Sequence, residues 1–123
     1  PQGIHGLSNA RLDTPWPKLT RTTSALSAWA TRGDDDLAPL FAALADRARA
    51  ADADLPATGV PLAWERLLSA PFIVSADYGT RCSTVLAIGH DGDARLVERS
   101  FDANGNATGE AEFRFEIGPG QNS

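Results

Sequence analysis

The chain has 123 residues, of which 42% are hydrophobic, enough for one ordinary domain with a core of its own. Its formal charge of −5 at pH 7 argues against nonspecific nucleic-acid binding and against an anionic membrane surface as partner. The single cysteine, Cys82, excludes an internal disulfide and a cysteine-based zinc cluster; with no apolar run long enough to span a membrane and no secretory signal pattern, the cytoplasm is the expected compartment.

Residues 3–10 gather two glycines, His5, Ser8 and Asn9 around apolar side chains, and the stretch runs through Asp13 to a Pro15-Trp16-Pro17 clamp and Lys18. Small residues let backbone approach backbone, or a ligand, closely. An amide side chain beside them can donate to an oxyanion. Leu19, Thr23, Leu26 and Trp29 or Ala30 recur three to four apart, which predicts a helix over 20–30 that ends at Gly33. The acidic run 34–36 is expected to cap a second helix, with Pro39 in its first turn and an apolar stripe of Leu37, Leu40, Phe41, Leu44 and Ala48. Residues 52–59 read as a loop, and Pro61 opens a short third helix through Leu68, burying Leu62 or Trp64 with Leu67 and Leu68.

After Pro71 the periodicity changes. Residues 72–74 form a short strand candidate, and 84–88 are β-rich and almost wholly apolar, which predicts burial on both faces. Asp91-Gly92 gives a tight reversal into 94–101, and 102–109 make a longer turn. From Glu110 the chain alternates, with Ala111, Phe113, Phe115 and Ile117 on one side and Glu112, Arg114 and Glu116 on the other. The tail 118–123 reads as frayed. The expected class is α+β, an antiparallel sheet of three main strands with two or three helices on one face. Nothing in the chain offers a second layer for strand 84–88, so a fragment, or pairing with another copy, is expected.

Several residues carry competing readings. Asn9 suits an oxyanion donor or a turn-satisfying amide, and Arg81 suits a carboxylate-binding guanidinium or an ion pair with an acid such as Asp77. His5 reads as packed or hydrogen-bonded; with only His90 besides it, there is no metal-ligand spacing, and no metal or cofactor is expected. Ser8 lacks the Gly-x-Ser-x-Gly elbow of a serine nucleophile. Cys82 reads as a small core residue, Trp16 as a hydrophobic plug, and Asn106-Ala107-Thr108 matches a glycosylation acceptor with no secretory signal behind it.

Taken together, residues 3–10, Leu12-Asp13, residues 15–18 and the run 78–86 (Tyr-Gly-Thr-Arg-Cys-Ser-Thr-Val-Leu) resemble the NRDE family, with weaker support from 97–101 and 113–115. That family is named for an Asn-Arg-Asp-Glu motif, absent here, and its animal members are called transport-and-Golgi-organisation proteins. The resemblance implies that residues 1–123 are the C-terminal portion of one such domain, its N-terminal portion missing. It also implies an αββα sandwich similar to N-terminal-nucleophile hydrolases, which cleave small acyl amides with an N-terminal cysteine. Under that analogy Asn9 resembles the oxyanion asparagine and Arg81 the late arginine of the site, so both are candidate catalytic residues. The nucleophile would lie outside this chain, leaving it inactive alone. The alternative the family implies is a non-catalytic binding or trafficking protein for haem, lipid or acyl-coenzyme A, or one that organises the secretory pathway. The implied partners are the missing half or another copy, and a small acyl amide or a haem or lipid ligand.

Overall fold

The computed structural model describes residues 2–118. Helix α1 spans Pro17–Arg32, wider than the periodicity predicts. Pro17 occupies the first turn with its φ already set and no N–H to leave unpaired, and Gly33, at φ +73, closes the far end in the left-handed conformation. Helix α2 is Ala38–Leu44, shorter than its apolar stripe. Asp36 Oδ1 accepts the Ala38 N–H at 3.0 Å, so the acidic run does prepare the helix start. The far end stops because Asp46 is engaged elsewhere. Its carbonyl accepts the Phe72 N–H at 2.7 Å, and its side chain accepts the Ala48 N–H at 2.9 Å, which leaves Ala48 outside the helix.

A single 3-10 turn at Asp52–Asp54 precedes α3, Leu62–Leu68, which starts behind Pro61 as the sequence predicts. Its buried face differs from the expectation. Glu65 is the buried residue, whereas Leu62 and Trp64 are 52% and 42% exposed. The cause is polar: Glu65 Oε1 accepts both the backbone N–H and the hydroxyl of Thr58, at 2.9 and 2.6 Å, which makes its burial tolerable. Residues 72–74 form no strand beyond one bridge, Val74 to Gly79. Phe72 is instead a plug, 2% exposed, with its ring edge-on to Phe101 at 4.8 Å.

Strands β1 (Cys82–Ile88), β2 (Asp93–Phe101) and β3 (Ala107–Glu116) form one antiparallel sheet in that order. The β1–β2 reversal requires Gly92, at φ +89, where a Cβ would lie 2.5 Å from the Ile117 carbonyl oxygen. Val85 pairs with Val97, and both face α2, where Leu37 and Phe41 complete the core with Trp29, Leu40, Leu44 and Ala87 around it. The helices therefore lie on one face of a three-stranded sheet.

The expected double burial of strand 84–88 is not found. Leu86 and Ile88 are 53% and 56% exposed, and across the sheet Phe113 and Phe115 are 57% and 47% exposed on the same side. The helices cover one face only, and among the described residues nothing covers the other. Cys82 is likewise exposed, not a core residue, because strand alternation places it on the uncovered side of β1. No helix among the described residues is long and apolar enough to cross a membrane.

The two phenylalanine environments give contrasting expectations. Phe72→Ala should destabilise the chain by about 3–5 kcal/mol, and Phe113→Ala by less than about 1 kcal/mol, both read from urea unfolding curves. Equal costs would show that the open face is covered in the isolated chain.

Candidate functional site

The loop of residues 3–13 lies against the start of α1. Gly6 makes this approach possible, since a Cβ there would sit 2.5 Å from Leu19 Cγ. Asp13 fastens the loop from a left-handed backbone, φ +60. Its Oδ1 accepts the Gly6 N–H at 2.7 Å, its Oδ2 meets His5 Nδ1 at 2.6 Å, and its own N–H donates to the Gly6 carbonyl at 2.7 Å. His5 Nε2 reaches the Gln2 carbonyl at 3.2 Å. Both partners of the ring are acceptors, so both nitrogens carry protons when both bonds form. The Asp13 hydrogen bond first, then the Gln2 carbonyl, hold the His5 pKa above its ordinary 6.5. The same bond from His5, then the Gly6 N–H, holds the Asp13 carboxyl below 3.8.

This braced loop walls a cleft of two lobes that meet at Asn9 and Lys18. The larger lobe, about 330 Å³, is floored by Leu19, Leu26, Leu44 and Pro71. The smaller, about 240 Å³, lies between Trp16, Glu65 and Tyr78. Lys18 is half-buried, and desolvation of its ammonium pushes its pKa below 10.5. It forms no ion pair among the described residues and lies 6.0 Å from the Trp16 ring centroid. Ser8 Oγ is enclosed without a hydrogen-bond partner.

The two residues singled out from the sequence occupy different surroundings. Asn9 is exposed and borders both lobes. Arg81 is exposed in the segment before β1, lines neither lobe, and packs its guanidinium beside Gly79, where its charge is one minor cause of the lowered Asp102 pKa behind the Asn106 and Asn104 backbone bonds. A larger cavity of about 580 Å³ opens between Trp29 and the β1–β2 hairpin, but its arginines are matched: Arg95 and Arg114 both pair with Glu112, at 3.2 and 2.8 Å. Among the described residues no group of three or more His, Cys, Asp or Glu side chains could hold a metal ion. Sequence reasoning passed over Lys18 and Glu65. A signal for Lys18 was present: a lysine directly after a helix-opening proline stands at the positive end of the helix dipole, where a cation is disfavoured.

The sequence model of the family described as Transport and Golgi organisation 2 matches residues 1–103. The chain belongs to this family. Transport and Golgi organization protein 2 homolog of Bos taurus is 35% identical over 125 residues, covering 93% of the chain and 45% of the bovine protein. The chain thus spans less than half the length of that relative.

These findings correct two expectations. Family identity holds over nearly the whole chain, residues 1–103, and is not that of a C-terminal remnant alone. Of the expected fold, the described residues show the α+β part, one three-stranded antiparallel sheet with helices on one face. The amide-hydrolase reading also fails. The matching family and relative are described by transport and Golgi organisation, no metal-binding cluster exists among the described residues, and Cys82 stands exposed at the head of β1. The alternative, a non-catalytic family member, is the better supported.

The His5–Asp13 brace has a defined pH window. A raised histidine contributes fully below 6.5 and loses its contribution as pH rises through the higher folded value; a lowered aspartate contributes above 3.8 and loses it as pH falls through the lower folded value. The brace is therefore complete between those two ordinary values. In an NMR titration His5 should show a midpoint above 6.5 that returns toward 6.5 in Asp13→Asn. Identical midpoints in both proteins would remove the brace.

Proposed function

We propose that this chain is a non-catalytic binding module in a transport or organising role, working in the cytoplasm on a small ligand with a large apolar body such as haem, a lipid or an acyl-coenzyme A. One observation carries the reading. The histidine of the cleft has both ring nitrogens engaged, with Asp13 and with Gln2, so its imidazole is not free to activate a nucleophile at Ser8. What the cleft retains is apolar wall, one cation, one amide and the Ser8 hydroxyl, which suits holding a molecule rather than converting it. Membership of a family described by transport and Golgi organisation supports the same direction. In this reading Asn9 contacts ligand and Arg81 has no part in the cleft.

The reading includes a second layer over the open sheet face, giving an αββα sandwich. The support is the polarity of β3. Its charged residues Glu110, Glu112 and Arg114 lie on the helix side, and its phenylalanines lie on the uncovered side with Leu86, Leu96 and Ile88. A sheet whose uncovered side were meant for water would carry the reverse pattern. We take the covering sheet to come from the portion of a family-length protein that this chain does not span.

Titration with haem or palmitoyl-coenzyme A should give saturable binding, and incubation with an N-acyl amide should release no free amine over hours. Steady amine release beyond one equivalent per chain would refute the binding reading.

A further inference from the structure

In the larger lobe most polar side chains are already engaged. Thr22 Oγ1 and Thr23 Oγ1 donate to the carbonyls of Lys18 and Leu19 at 2.8 and 2.9 Å, so the two threonines are satisfied by their own helix and offer the lobe little beyond their methyl groups. His5 is held by Asp13 and Gln2, and no carboxylate lines this lobe. The Lys18 ammonium, the Asn9 amide and the enclosed Ser8 hydroxyl are left with open hydrogen-bonding capacity. Desolvation is the one cause of the Lys18 shift, with no carboxylate compensating it. Glu65, in the smaller lobe, is bonded to Thr58 and makes no ion pair with Lys18. The Trp16 ring, 6.0 Å away, stands at the outer limit of a cation–π contact and does little to balance the charge. A half-buried cation without a partner is costly unless an anion joins it.

We infer that this lobe binds an amphipathic anion, with a carboxylate or phosphate monoester head on the Lys18 ammonium and the Asn9 amide, and an aliphatic body along Leu19, Leu26, Leu44 and Pro71. This rests on the binding reading above and adds to it the site and the head-group chemistry. The ammonium supplies charge and the amide fixes orientation. The leucines and Pro71 contribute through the apolar area they remove from water.

The test compares decanoate, decyl phosphate and decanol by calorimetric titration of the full chain. Decanoate and decyl phosphate should bind about tenfold or more tighter than decanol, as a charge-assisted hydrogen bond predicts. Lys18→Gln should abolish that difference, while Lys18→Arg should keep most of it; thermal unfolding checks that both variants are folded. A stronger response to only one head group identifies which anion the site prefers and still supports it. If Lys18→Gln keeps the preference while palmitoyl-coenzyme A still binds, the site is wrong and the binding reading survives. If neither the decyl probes nor palmitoyl-coenzyme A binds, both fall.

Discussion

The packing of Val85 and Val97 beneath Leu37 and Phe41 is the constraint from which the rest of the sheet follows. Side chains alternate along a strand, so seating those two valines under α2 sends Leu86, Ile88, Leu96, Phe113 and Phe115 to the opposite side. A slip of one residue would exchange the two sets, which fixes the register. Around this contact the helix side is closed by charge. Arg99 lies over the Phe41 ring at 4.3 Å and pairs with Glu110 at 2.9 Å, so its stem and guanidinium cap the small core where helix no longer reaches. Arg95, four residues back along β2, pairs with Glu112 at 3.2 Å and donates to the Asp35 carbonyl at 3.4 Å. The charged face of β3 is therefore the partner of two arginines on β2 as well as a solvated surface.

The elements were legible in the sequence where a local rule and a tertiary contact agree. The hairpin at Asp91-Gly92, the alternation after Glu110 and the helix opened by Pro61 needed only period and turn chemistry. Where the two conflict, the tertiary contact prevails. The stripe from Leu37 to Ala48 is one helix by period, yet Asp46 gives its carbonyl to Phe72 and ends the helix a turn early. Leu62 and Trp64 look like core by hydropathy, yet Glu65 is buried in their place by its two bonds to Thr58. The apolar run 84–88 shows that sequence reports what a face is suited for, not whether this chain covers it.

The candidate site was legible in part. The glycines and Asn9 were visible because their residue types are unusual in combination. The distribution of hydrogen bonds was not, since it depends on Asp13 reaching back to both His5 and Gly6. That reach decides the chemistry of the cleft. A free imidazole beside Ser8 would be a base; one fixed between a carboxylate and a carbonyl is a strut. Once His5 is a strut, the charge of the larger lobe falls to Lys18, at the opening of α1, where the helix itself has no use for a cation.

The brace and the open sheet face meet through α1 and α2. Loop 3–13 rests on Leu19 by way of Gly6, Leu26 and Leu44 floor the lobe, and Leu44 also belongs to the margin of the core formed by Phe41, Val85 and Val97. A ligand body lying on Leu44 would thus touch the same helix that seats the sheet. This path runs through close-packed side chains, which transmit displacement because they have little room to absorb it. The lobe and the covered face of the sheet thus share α2, through Leu44 for the one and Phe41 for the other.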